Sequence, residues 1–175
     1  MAPKKKNNKV VKLPKRKTET PEEKQQNLSL DSIAKIKFDL KSSIPEISCF
    51  SENERYTKSS GIKGKEVARD EFIAALQKLK PFFCSICEIE HKLDDTSIHG
   101  ITFDKTGIVI SAQLKLTKYD FKQPIPINSP HLFYENKNGG FEIPAEVESL
   151  LIEIKKQALG YLLGDYKFIQ TNMFA

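Results

Sequence analysis

Cys84-Ser-Ile-Cys87 is the stretch whose side chains and spacing most resemble a reactive motif. Two thiols three residues apart, with His91 nearby and Cys49 further off, are the ligand types of a four-coordinate zinc site. The local pattern works against it. Residues 82–93 are rich in β-formers and alternate from Cys87 onward, so the segment reads as extended, and residues 84 and 87 of a strand point to opposite faces. A helical segment would put both thiols on one face and restore the possibility. A thioredoxin-like role needs the motif to open a helix in a βαβ unit, and no such unit is visible. A buried cysteine otherwise behaves as a small hydrophobe. The sequence therefore assigns no metal and no cofactor.

Gly61-Ile-Lys-Gly64-Lys65 resembles part of a phosphate-binding loop, but Glu66 follows the lysine where a Walker motif needs Ser or Thr. What it retains is a glycine loop before an expected helix, ringed by Lys63, Lys65 and Arg69, where free N–H groups would attract an anion. His91, His99 and His131 are scattered without a Gly-x-Ser-x-Gly or His-Glu-x-x-His pattern. Asp94, Asp95 and Asp104 sit where aspartate stabilises turns. No catalytic residue is assigned, and the chain is read as a non-enzyme. The remaining chemistry is cationic and aromatic: Lys115, Lys118, Tyr119 and Lys122 follow Ser111 and Gln113 on what reads as an outward strand face. Ammonium groups tracking phosphates beside rings that stack bases suit a single-stranded nucleic acid. The lack of Trp and the low Arg content, 3 against 25 Lys, weigh against that use.

The elements positioning these residues read as an α+β domain. Residues 28–65 are expected to form an irregular extension, broken by Pro45 and ending in the glycine loop. Apolar residues at three- and four-residue spacing predict one helix over residues 66–80, stopped by Pro81. Four strands follow: residues 82–93, residues 98–103, residues 107–117 with Ile108, Ile110, Ala112, Leu114 and Leu116 inward, and residues 122–127 as a proline-bearing edge. Gly107 closes a hairpin turn and is expected at positive φ. After a loop over residues 128–142, residues 145–163 form an amphipathic helix capped by Gly164. The expectation is a four-stranded antiparallel meander under one or two helices, spanning residues 66–168, with a tail over residues 169–175.

Charge divides the chain of 175 residues unevenly. Lys4, Lys5, Lys6, Lys9, Lys12, Lys15, Arg16 and Lys17 occur without an acid before residue 18, leaving 20 basic and 23 acidic residues for the rest. Residues 1–27, poor in apolar groups, are expected to be a disordered basic arm. Such an arm can grip a polyanion with steep salt dependence. Its Pro-Lys-Lys-Lys and Pro-Lys-Arg-Lys runs also resemble nuclear import signals. No apolar run is long enough to cross a bilayer, and three cysteines are too few for a disulfide framework. The expected setting is intracellular, cytoplasmic in a bacterial host or nuclear in a eukaryote, with no membrane partner.

The stretch Gly107-Ile-Val-Ile-Ser-Ala-Gln-Leu-Lys-Leu, with Ile125-Pro-Ile-Asn-Ser-Pro130 and the C-terminal helix, resembles uncharacterised small proteins of tailed phages and mobile elements. That resemblance implies a DNA-handling or virion role and transfers no site residue. Four strands followed by a helix are similar in order to the positive-cofactor/Whirly class of single-strand binders, a likeness of fold only. The combined expectation is a nucleic-acid-binding protein for single-stranded DNA, with a virion or accessory protein-interaction module as the alternative. A homodimer through the last helix is also expected, with Leu159 and Leu163 as its second face.

Overall fold

A computed structural model describes residues 28–39, 41–53, 56–116, 123–135 and 140–164. The expected arm, the tail over residues 169–175, and Lys118, Tyr119 and Lys122 lie outside the described residues.

Apolar alternation begins much earlier than expected. A 3-10 turn, Leu30–Ser32, leads into β1 (Ile33–Asp39), where Ile36 and Phe38 are buried and Lys35 and Lys37 exposed. Next come β2 (Ile44–Asn53) and β3 (Tyr56–Lys63). The region read as an irregular extension with a glycine loop thus supplies three strands, because Ile36 and Ile47 are cross-strand partners that bury completely. Pro45 does not break this region. It pairs with Phe38 inside β2, and its carbonyl accepts the Gly64 N–H at 2.8 Å.

The expected single helix is two. α1 (Asp70–Gln77) buries Phe72, Ala75 and Leu76, and α2 (Lys80–Ile86) begins with Pro81 in its first turn. Proline starts a helix as readily as it stops one, since the missing N–H is one the first turn leaves unpaired anyway. This overturns the extended reading of residues 82–93. Leu79 and Phe83, one helical turn apart, are both fully buried, so the aromatic run follows a helical period rather than a strand period.

β4 (Thr96–Phe103) and β5 (Gly107–Leu114) match the expected hairpin, with Ile108, Ile110, Ala112 and Leu114 buried. Gly107, however, is not at positive φ. Glycine is required there because a Cβ would overlap the Leu132 carbonyl. β6 (Ile125–Asn128) lies against β5 as expected for the proline-bearing segment, and the loop beyond contributes β7 (Leu132–Phe133) and β8 (Phe141–Glu142). α3 (Ala145–Leu163) follows, with Gly164 in the left-handed conformation at φ 94° as its C-cap.

The α+β class holds, but the sheet has eight strands in the order β3-β2-β1-β4-β5-β7-β8, with β6 also on β5, instead of a four-stranded meander. It is mixed because β7 and β8 run parallel. The core lies between one sheet face and the helices. Phe38 and Phe72 meet edge to face at 4.9 Å, and Ile154, Ala158 and Tyr161 of α3 close its other side. Tyr161 donates to the Glu66 carbonyl at 2.6 Å, tying α3 to the chain between β3 and α1. No described helix is long and apolar enough to cross a membrane.

Candidate nucleic-acid interface

Residues opposite one another in a sheet share a face, so the register maps the side of the sheet away from the core. One row runs Lys63, Glu46, Lys37, Gly100, Ser111, Asn128 across six strands. The next runs Gly61, Ser48, Lys35, Thr102, Val109. Among the described residues no helix crosses these rows, and Lys35, Lys37, Lys63, Glu46, Thr102 and Asn128 are exposed. Lys37 and Lys63 flank Glu46, so the row holds two cations around one anion, with Lys35 a third cation one row away. Gly100 is itself buried in that row: a Cβ there would come within 2.9 Å of the Ile36 carbonyl, so the glycine lets β1 and β4 pack closely.

His99 occupies the irregularity between Ile98 and Gly100, an extra residue that β5 does not match. Burial, with Lys37 and Lys35 adding to it, pushes its imidazole below the ordinary histidine value. Its Nδ1 is buried and has no hydrogen-bond partner. The middle of the face therefore carries a neutral imidazole beside two lysines, and it can gain a proton when an anion approaches.

The expected site residues scatter around this face. Lys63 lies on it, and Lys115 is exposed directly after β5, its N–H bonded to the Asp95 carbonyl at 2.9 Å. Lys65 is exposed beyond β3, while Arg69 is the N-cap residue of α1. The glycine loop is not an anion site at a helix N-terminus. Gly61 belongs to β3, packed beside Glu46 and Ser48, and α1 starts only at Asp70. Lys4, Lys5, Lys6, Lys9, Lys12, Lys15, Arg16 and Lys17 lie outside the described residues. Lys35, Lys37 and His99 are not among the expected site residues, although Lys35 and Lys37 alternate with Ile36 and Phe38 in a period-two pattern.

Other reactive types are placed structurally. Cys84 is buried in α2 and Cys87 is its C-cap residue, so the two are within one helical turn. Burial, reinforced by Cys84, pushes the Cys87 thiol up, and burial does the same to Cys49 against a hydrogen bond from Ser32. Protonated thiols are poor ligands and poor nucleophiles. Among the described residues no three His, Cys, Asp or Glu side chains converge on a common point.

Asp104, Thr106 and His131 do form a cluster. Thr106 Oγ1 donates to Asp104 Oδ1 at 2.7 Å and lies 3.2 Å from His131 Nε2, and His131 Nδ1 is 3.6 Å from Asp104 Oδ2. A nucleophilic hydroxyl must give its proton to the imidazole. Here the single hydroxyl proton goes to Asp104, and Asp104 Oδ1 also accepts the Thr106 and Gly107 N–H groups at 2.7 and 2.9 Å. Burial pushes the Asp104 carboxyl up, but the bonds from Thr106 and Gly107, with His131, hold it below the usual value. This cluster locks the β4–β5 turn.

No known protein family, curated protein or solved structure matches the chain.

Proposed function

We propose that the chain is a non-enzymatic nucleic-acid-binding protein that lays a single strand, chiefly DNA, across the helix-free face of its sheet. The observation that supports this reading is that Lys37 and Lys63 in one row and Lys35 in the next share that face, with His99 beside Lys37 and Lys35. Lysines there track phosphates. The half-buried His99 ring beside them offers a surface for a base. The eight basic residues before residue 18 add a sequence-independent, salt-sensitive attraction.

Titrating full-length protein with fluorescent oligo-dT at low salt tests the reading. Lys35→Ala with Lys37→Ala is expected to weaken binding roughly tenfold to a hundredfold, at about 1 kcal/mol or slightly more per phosphate contact. These side chains are exposed, so the thermal midpoint should stay put. Absence of binding by the wild type at low salt, or an unchanged affinity in the double variant, refutes the sheet-face assignment.

A further inference from the structure

On the helix side of the molecule lies a groove of about 850 Å³. Phe50, Tyr134, Leu151 and Ile152 give it an apolar floor, and Ile152 is nearly half exposed. Its rim carries three carboxylates, Asp31, Asp104 and Glu148, against two lysines, Lys105 and Lys155. The negative field concentrates at one spot. Burial pushes the Tyr134 phenol up, and Asp104, Glu148 and Asp31 all add to that rise, so the three acids act together at the Tyr134 hydroxyl. The Lys155 ammonium lies 4.6 Å from the centroid of the Phe103 ring and feels Asp31, which leaves the three acids one charge in excess of the two lysines. The groove is thus suited to an extended peptide with a cation at one point and apolar side chains beside it.

The chain itself contains such a peptide. Among the basic residues of the N-terminal region stand Val10, Val11 and Leu13, between Lys9, Lys12 and Lys15. That region enters the fold at Leu28, and Ser29, the next residue, lines the groove. The 15 residues between Leu13 and Ser29 can reach roughly 50 Å when extended, so the chain can turn back, and closing such a loop costs little more than closing a shorter one. We propose that the groove receives residues 9–13 of the same chain, a lysine ammonium lying among Asp31, Asp104 and Glu148 and the Val10, Val11 and Leu13 side chains resting on Phe50, Leu151 and Ile152. The basic region then has two competing partners, its own groove and an external polyanion.

Limited trypsin digestion of the full-length protein, without nucleic acid, reads the contact directly. Cleavage after Lys9 and Lys12 should be slow in the wild type. It should accelerate on the order of tenfold in Asp31→Asn with Glu148→Gln, as expected for a weak contact held at millimolar effective concentration. Leu13→Ser changes no described residue and adds no acid beside the Lys12 bond, and it should accelerate cleavage after Lys9 and Lys12 similarly, so the test survives if a groove variant misfolds. Wild-type rates must also be independent of protein concentration. Equal rates in all variants, acceleration by the groove variant alone, or protection that grows with concentration, as docking into a second copy would give, each overturn the proposal.

Discussion

At the residue scale, His99 makes the sharpest prediction. Its imidazole is held below the ordinary value of 6.5 by burial and by Lys37 and Lys35, so the folded state binds this proton less readily than the unfolded chain. Stability from this group is therefore complete above about pH 6.5 and is lost as the pH falls through the lower folded value. Denaturant midpoints measured from pH 8 to pH 4 should fall less steeply for His99→Gln than for the wild type, the gap opening below pH 6.5. A phosphate laid beside Lys35 and Lys37 would favour the charged ring. Affinity for oligo-dT should accordingly rise on acidification more in the wild type than in His99→Gln. Equal pH profiles in both measurements would remove His99 from the interface and from the stability balance. The sequence displayed this histidine but not its setting: the shift needs the bulge at residue 99 and the pairing of β4 with β1 that brings Lys37 and Lys35 near it, a long-range pairing that no local pattern encodes.

At the element scale, side chains complete the two central strands. β1 covers β4 only opposite residues 100–102, and beyond that point the Gln77 amide serves as a substitute strand. Gln77 Nε2 donates to the Ile98 carbonyl at 2.6 Å, and Gln77 Oε1 accepts the Ile98 N–H at 3.2 Å. On β5, in the gap between β6 and β7, the Ile110 N–H donates to Ser129 Oγ at 2.9 Å and its carbonyl accepts the Ser129 N–H at 2.8 Å. Gln77→Met should preserve volume yet leave both Ile98 groups unpaired, a loss of about 1–3 kcal/mol by urea unfolding. A loss well below that would mean water replaces the amide.

The same scale explains what could be read in advance. Ile108, Ile110 and Ala112 face one way, and α3 repeats Val147, Leu151, Ile154 and Ala158, so strand and helix announce themselves through burial period alone. Residues 82–86 misled because Phe82, Phe83 and Cys84 favour strands by type, while the helix is decided by where Leu79 and Phe83 must pack. Gly61 misled in the opposite sense. Its lack of a side chain suits a sheet position beside Glu46 and Ser48 as well as it suits a loop. The candidate face was half legible, through Ser111 and Lys63. Its centre on β1 was not, because residues 28–50 alone do not reveal that β4 lies alongside.

At the scale of the whole molecule, eight basic residues precede residue 18, and Lys35, Lys37 and Lys63 stand on the helix-free face. Replacing the eight basic residues before residue 18 with Gln should flatten the dependence of log affinity on log salt by about 0.7 for each phosphate no longer neutralised, while Lys35 and Lys37 still confer measurable binding at low salt. An unchanged slope would show that the N-terminal charges do not touch the bound strand.

The tie between Tyr161 and Glu66 spans 95 positions of sequence, and a Cβ at Gly64 would overlap the Tyr161 hydroxyl. The connection between β3 and α1 is thus moulded around a side chain from the end of the last helix. As a ribosome releases the chain, β1, β2 and β3 emerge long before that helix. Their greasy side, Ile36, Phe38 and Ile47, must wait with part of its cover missing. Until α3 has emerged, the nascent chain is the form most in need of a chaperone's protection.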